Sequence, residues 1–201
     1  MKGEIEETRE RTATCLWLFP LMIMAVLAGL SQVFFAAVFA LAACEIVRWK
    51  PVNIIAVLHI CGLLLAVFLE KGELLFLLAV VIANDGAALL AGKVFGGVLF
   101  GQVPVPRISP NKTFEGYIGG LLAALAVGIA AGQIFPAMFL AACGNAGDLL
   151  NSFIKRSYGA KDSGEGLPTE QIFAGHGGAY DRFDSVSLAI PAWLVFKMIF
   201  S

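Results

Sequence analysis

Charge is scarce in this chain: only 14% of its 201 residues are Asp, Glu, Lys or Arg, and 14 basic against 15 acidic side chains leave a formal charge of −1. No bulk basic field exists to recruit nucleic acid, so any phosphate recognition must be local. Histidine occurs twice, and the four cysteines (Cys15, Cys44, Cys61, Cys143) sit in apolar stretches with no CxxC pair. They read as reduced packing residues rather than a disulfide framework or zinc site. A Walker motif is missing as well: Lys93 follows Gly92, but Val94 replaces the required Ser or Thr and position 87 is Ala, which excludes a P-loop ATPase. The opening MKGEIEETRERTATC mixes four glutamates with three basic residues, the wrong pattern for a cleaved signal peptide. A short, retained cytosolic lead is expected.

Hydrophobic residues fill the space that charge leaves. They make up 59% of the chain, mean hydropathy is +0.83, and the length is about one domain's worth. Such a chain is an integral membrane protein, and its 22 glycines suit close helix packing or backbone that lines a cavity. Residues 12 to 44 carry no charge, a run too long for one span of about 20 residues. Gly29-Leu30-Ser31-Gln32 offers a break into two short helices. Further apolar runs cover about 53 to 69, 74 to 91, 117 to 134, 136 to 150 and 186 to 200.

Lysine and arginine set the number of crossings, because cytoplasmic loops collect positive charge. With two helices in the first run, Lys2, Arg9, Arg11, Arg48, Lys50, Lys93, Arg107, Lys112, Lys155, Arg156, Lys161 and Arg182 fall on one side, 12 of the 14. Lys71 alone lies in an outside loop, and Lys197 can snorkel from the last helix. One helix there would erase the bias. The expected architecture is therefore an all-α polytopic transmembrane bundle of about seven spans, N-terminus in the cytosol. It forms one domain: N-terminal helices over 1–80, a catalytic core over 81–185 and a last helix over 186–201. Both long polar segments, Gly92 to Gly116 and Asn151 to Asp184, then face the cytosol.

Asp85 and Asp148 lie inside apolar runs, where an ionised Asp costs about 2.5–3.5 kcal/mol on insertion scales and is usually functional or paired. They stand eight and seven residues before Lys93 and Lys155, each with an Asn nearby (Asn84, Asn145) and a Gly beside it (Gly86, Gly147). The stretch SFIKRSYGAKDSGEGLPTEQIFAGHGGAYDRFDS holds most of the remaining polar chemistry. Lys155, Arg156, Lys161 and Arg182 can neutralise phosphates, while Asp162, Asp181 and Asp184 suit a hard divalent cation that bridges to phosphates. Asp181 and Asp184, three apart, share a face if both open the last helix. Gly175, Gly177 and Gly178 around His176 let backbone N–H groups converge on an anion. His176 reads as functional, His59 as a hydrogen-bonded packing residue. Ser109-Pro110 with Lys112, Thr113 and Glu115 predicts a turn and helix start that offers Lys112 to a phosphate.

Ser152-x-x-Lys155-Arg156, Lys161-Asp162-Ser163-Gly164, Leu167-Pro168, His176-Gly177-Gly178 and Asp181-Arg182-x-Asp184 resemble the signature of the phosphatidate cytidylyltransferase (CDP-diacylglycerol synthase) family. Ser109 to Gly116 with Gly119-Gly120, and Asn84 to Ala87 leading to Gly92-Lys93-x-Phe95-Gly96, are similar to two further family stretches. The likeness covers about 84 to 185. Two departures stand out: Thr169 to Ala174 are inserted before Gly175, and Asp85-Gly86 occurs where Asp-Thr is common.

The resemblance implies cytidylyl transfer from CTP to phosphatidate, giving CDP-diacylglycerol and pyrophosphate, with Mg²⁺ and a second, monovalent cation such as K⁺. It assigns the metal to Asp148, Asp181 and Asp184, with Lys155, Arg156, Lys161, Asp162, His176 and Arg182 in the catalytic set. Asp85, Ser109, Lys112, Thr113, Glu115, Ser152, Gly177 and Gly178 then contribute to substrate binding. The substrate's own phosphate oxygen is the nucleophile, and phosphoryl chemistry of this kind is mostly positioning and charge neutralisation. The expected partners are CTP, phosphatidate, the lipid bilayer and a second copy in a homodimer; the small-residue helix LLAALAVGIAAG suits either the dimer contact or close packing inside one subunit. The expected location is the bacterial inner membrane, with the site facing the cytosol. The competing readings are a CTP-dependent enzyme acting on another lipid phosphate or lipid alcohol, such as an isoprenoid ether lipid, and an ion-coupled transporter built on Asp85 and Asp148. No internal repeat supports the transporter.

Overall fold

A computed structural model of the chain describes residues 17–51, 53–98, 112–160, 162–169 and 177–200. Every regular element among them is helical. The long uncharged run breaks where its glycine predicts: α1 (Trp17–Leu27) ends and α2 (Ser31–Ile46) begins across Gly29. Gly29 takes the left-handed φ of 76°, and the Leu30 N–H reaches back to the Ala25 carbonyl at 2.8 Å. A side chain is strained in that conformation, so glycine is the natural stop.

α3 (Ile54–Cys61) runs on into a 3₁₀ segment (Gly62–Phe68). α4 (Lys71–Phe95) starts with a capping box, the Glu70 N–H donating to Glu73 Oε2 at 3.0 Å. The Thr113 hydroxyl caps α5 (Phe114–Ala131) by accepting from the Gly116 N–H at 3.1 Å, satisfying one orphan donor of the first turn. α6 (Ile134–Ser157), the short α7 (Ala179–Arg182) and α8 (Asp184–Phe200) complete the order. α4 and α5 have the length and composition to cross a membrane; α1, α2 and α3 with its extension are shorter apolar helices.

Two expectations need correction. The polar segment after residue 150 does not begin as a loop: α6 continues through Ser157, so Asn151, Ser152, Lys155 and Arg156 ride on its last two turns. Asp181 and Asp184 do not open one common helix, because Phe183, at φ −118° and ψ 14°, separates α7 from α8.

Small residues let the helices close on one another. A Cβ at Gly116 would stand 2.9 Å from the Ala88 carbonyl, one at Gly120 2.7 Å from Asn84 Oδ1, and one at Gly128 2.8 Å from Ala137. The small-residue face of α5 formed by Gly120, Ala124 and Gly128 is thus used inside the chain, against α4 and α6. α8 contains Pro191, which has no N–H for the Ser187 carbonyl four residues back. That carbonyl lies instead against Gly62 of the 3₁₀ segment.

The exterior of the described helices is apolar as well as the core, unlike that of a water-soluble bundle. Glu45, His59, Asn84, Asn151 and Asp184 are buried, while Met24, Leu58, Leu90, Leu122, Ile129, Phe135 and Met198 are more than half exposed. Such a surface matches hydrocarbon as its solvent. Cys44, Cys61 and Cys143 are free thiols, Cys44 exposed and the other two half-buried.

Candidate active site

One face of α6 carries Gly144, Gly147, Asp148, Asn151 and Lys155, spaced three and four residues apart as a helical stripe requires. Gly147 makes the site geometry feasible. A Cβ there would lie 2.5 Å from the Asp184 carbonyl, so α6 and α8 meet closely enough for Asn151 to reach the start of α8.

The Asn151 amide nitrogen donates to Asp184 Oδ2 at 2.8 Å and to Asp181 Oδ1 at 3.0 Å. A single amide therefore holds the two acids side by side although they belong to different helices. Lys155, one turn further along α6, pairs with Asp181 Oδ1 at 2.6 Å. The other Asp181 oxygen accepts from the Ser163 N–H at 2.7 Å and faces the Ser163 hydroxyl at 3.0 Å. Asp184 Oδ1 accepts from the Ser185 N–H at 2.7 Å.

Asp148, one helical turn before Asn151, forms an ion pair with Lys112 at the start of α5. Burial pushes the Lys112 ammonium below its ordinary range; the charges of Asp184 and Asp85 oppose that shift. Asp85 and Asn84 come from α4: the Asn84 amide donates to Asp85 Oδ1 at 3.0 Å and to Asn145 Oδ1 of α6 at 2.8 Å. The two apolar runs that each carry an Asn and an Asp are therefore joined at those residues, as their matching depth suggests.

His59 behaves as the packing residue expected of it. Its Nε2 lies 3.0 Å from the Asp184 carbonyl, which can only accept, so this nitrogen carries the proton and Nδ1 accepts from the Tyr180 hydroxyl at 3.1 Å.

Local spacing assigns no role to Glu45, Asn151 or Ser163, although Ser163 stands in the Lys161–Gly164 stretch that carries the family resemblance. Glu45, the penultimate residue of α2, is fully buried and accepts from the Ala179 N–H at 2.8 Å, the Tyr180 N–H at 3.0 Å and the Ser163 hydroxyl at 2.7 Å. It thereby ties the first turn of α7, which bears Asp181, to the N-terminal helices. Ser163 stands between Glu45 and Asp181, and Asn151 joins Asp181 to Asp184. A lone Glu at the end of an apolar helix, 134 residues from the Ala179 N–H it binds, leaves no mark in local spacing.

Gly177 and Gly178 have a steric reason to be glycine. A Cβ at Gly177, whose φ is +77°, would collide with Asp181 Oδ2, and one at Gly178 with the Glu45 carboxylate. Thr113 and Glu115 lie at the start of α5 beside Lys112, Glu115 being buried. Ser152 and Asp162 are half-buried and Arg156 is exposed, while Arg182 closes α7. Ser109, Lys161 and His176 lie outside the described residues.

Among the described residues no three His, Cys, Asp or Glu side chains already form a metal cage. The acid pair nevertheless has the chemistry for a hard cation: two carboxylates held together by one amide, with the Asn151 Oδ1 buried and without a hydrogen-bond partner. Asp148, on the same stripe of α6, is engaged by Lys112.

A protein whose described elements are all helical, with an apolar exterior and a buried acid–amide–lysine site at one pole, has the makings of a membrane-surface enzyme for phosphorylated substrates. The family model of the cytidylyltransferases matches residues 70–200, more than half of the chain, and the chain belongs to that family. It is 38% identical over 138 residues to a phosphatidate cytidylyltransferase of Brucella suis, covering 64% of this chain and 47% of that protein. It is 39% identical over 139 residues to one of Helicobacter pylori, covering 63% and 48%. A third, from Staphylococcus aureus, is 38% identical over 129 residues, covering 59% and 46%. The chain spans about half the length of the curated relatives it matches. Asp85, Lys112, Asp148, Lys155, Asp181 and Asp184 lie within the matched span, whereas Glu45 and His59 precede it.

Proposed function

We propose that this chain transfers the cytidylyl group of CTP to phosphatidate, releasing pyrophosphate and forming CDP-diacylglycerol. The observation that carries this reading is the pairing of Asp181 and Asp184 on Asn151 beside Lys155. Negative and positive groups in one buried cluster suit a metal-bound polyphosphate better than either alone. The names of the Brucella, Helicobacter and Staphylococcus relatives support the same substrates.

In this mechanism a phosphatidate oxygen attacks the α-phosphorus of CTP, and the bond to the β-phosphate oxygen breaks. A phosphate monoester is mostly ionised at neutral pH, so no protein base is required. Asp181 and Asp184 would hold Mg²⁺, with Asp148 completing the set when Lys112 turns to a phosphate; the ion would neutralise charge on the triphosphate. A monovalent cation such as K⁺ belongs to the same proposal. Lys155, Arg156, Lys161 and Arg182 neutralise the remaining phosphate charge. Asp162 would orient Lys161, His176 belongs to the catalytic set, and Asp85, Ser109, Lys112, Thr113, Glu115, Ser152, Gly177 and Gly178 would contribute to substrate binding.

The reading includes seven spans in a bacterial inner membrane with the acid pole in the cytosol. Arg48, Lys112 and Lys155 make their contacts at the acid pole, and Lys71 and Lys197 make theirs with Leu27 and Glu73 at the opposite one. This distribution supports the orientation. A homodimer is also proposed, through surface outside the Gly120–Ala124–Gly128 face, and is tested by mass in detergent.

Pyrophosphate release by the detergent-purified chain, with CTP, phosphatidate and Mg²⁺ each omitted in turn, tests the reaction. Release that needs all three is the expected result. No release with CTP still bound would shift the acceptor to another lipid phosphate, and no CTP binding would sink the reading.

A further inference from the structure

Beyond the acid pair, the acid pole holds a recess of about 430 Å³ between the residues that follow α2 and the turn at 162–166. Arg48, Trp49, Asp162, Ser163 and Glu165 are among the residues that line it. We propose that this recess receives the cytosine ring of the nucleotide; the proposal rests on the cytidylyltransferase reading above and assigns the base end of that substrate.

The recess and the acid site share a wall. Ser163 lines the recess, and its N–H and hydroxyl face Asp181 Oδ2 at 2.7 and 3.0 Å. A ligand with phosphates on Lys155 and the acid pair can therefore place its other end here. The walls are also held in place. Arg48 donates through Nη1 to the Glu165 carbonyl at 2.7 Å, which ties the end of α2 to the turn. Trp49 stacks on Tyr158, with ring centroids 5.2 Å apart and planes 16° apart, and meets the edge of Tyr180 at 5.9 Å. The Tyr158 hydroxyl in turn donates to the Pro51 carbonyl at 2.6 Å.

The lining chemistry selects the occupant. Asp162 and Glu165 disfavour a phosphate, so the charged end of the nucleotide belongs at Lys155 and the neutral end here. Cytosine presents an exocyclic amine that donates to a carboxylate, beside a ring nitrogen and a carbonyl that accept. A guanidinium has five N–H donors, and the Glu165 carbonyl takes one. Trp49 supplies aromatic surface. The volume falls within the range of about 300–1,000 Å³ usual for small-ligand sites. Acyl chains are excluded because the lining residues lie beyond the ends of α2 and α6, among charged groups rather than against the apolar exterior.

Steady-state kinetics of the full chain in detergent tests the proposal, using Arg48→Ala and Glu165→Gln, both at exposed positions. For Arg48→Ala the KM for CTP should rise about tenfold, far more than kcat falls, with the KM for phosphatidate unchanged. For Glu165→Gln the preference for CTP over UTP should fall about tenfold. Variants that leave the CTP KM and the CTP-to-UTP preference within about twofold of wild type overturn it, as does an equal rise in both substrate KM values. If Arg48→Ala does not fold, phenylglyoxal modification of Arg48 in the wild type decides. Protection by CTP but not by pyrophosphate supports the proposal, and equal protection by pyrophosphate overturns it. A wild-type chain that turns over no CTP would instead sink the cytidylyltransferase reading, so the two failures are distinguishable.

Discussion

Asn151 is an uncharged residue on which the charged site depends. Its one amide nitrogen serves both Asp181 and Asp184, so Asn151→Ala should let the two acids drift apart under their own repulsion. Groups that orient metal-binding carboxylates typically change metal affinity about 10- to 100-fold when removed. Asn151→Ala is accordingly expected to raise by that factor the Mg²⁺ concentration needed for half-maximal pyrophosphate release. An unchanged Mg²⁺ titration would show that the amide merely fills space.

Glu45 makes a different prediction, about stability. Truncation to Ala strips the acceptor from the Ala179 and Tyr180 N–H groups and from the Ser163 hydroxyl. Each buried group left unpaired costs roughly 1–3 kcal/mol, so Glu45→Ala should lower Tm in detergent well beyond Glu45→Gln, which keeps one acceptor oxygen. Equal melting of the wild type and the Ala variant would refute it. Asp85 and Asp148 were legible because an acid inside apolar sequence is costly, and Asp181 and Asp184 because they stand in a polar stretch of acids, basic residues and glycines that carries the family resemblance. The roles of Glu45, Asn151 and Ser163 were not, since they come from partners brought near only by folding.

At the scale of elements, glycine positions separate contact from mere permissiveness. A Cβ at Gly62 would collide with the Ser187 carbonyl freed by Pro191, and one at Gly147 would sit 2.5 Å from the Asp184 carbonyl, whereas Gly86 has nothing within 4 Å. Gly62→Ala and Gly147→Ala should therefore both lower Tm, and Gly147→Ala should also weaken activity by displacing Asn151 from Asp184. Gly86→Ala should be neutral or stabilising by about 0.5–1 kcal/mol, because glycine inside a helix carries that entropic cost relative to alanine. A thermal shift series on the three variants checks the order, and a Gly86→Ala variant as destabilised as Gly62→Ala would contradict the packing described.

The elements themselves were readable to the extent that hydropathy and breakers define them. Gly29 ends α1 where the sequence suggests a stop. Boundaries failed where polar residues continue a helix: the Lys155–Asp181 pair and the Asn151 bonds belong to the last turns of α6, which composition alone reads as loop. The interruption at Phe183 likewise has no Gly or Pro to announce it. Across it the two acids share Asn151 but otherwise have different partners, Asp181 Ser163 and Lys155, Asp184 the Ser185 N–H.

For the whole molecule, the two poles differ in charge. Arg48, Lys112 and Lys155 make their contacts at the acid pole, and Lys50, Lys93, Arg156 and Arg182 lie at element ends on that side. Lys71 donates to the Leu27 carbonyl at 2.6 Å and Lys197 pairs with Glu73 at 2.5 Å at the other pole. Positive charge retained on one side of a bilayer fixes orientation, and the proposed use of CTP would require the site to face the compartment that holds nucleotides. Both requirements point to the same pole. In a background without the four cysteines, Lys93→Cys should react with a membrane-impermeant maleimide only in inside-out vesicles, and Lys71→Cys only in right-side-out cells. Labelling of both from one side would mean that α4 does not cross the bilayer and would break the seven-span arrangement. Labelling of each from the side opposite to that expected would keep the alternation but turn the acid pole away from the cytosol, and the proposed use of CTP could not survive that result.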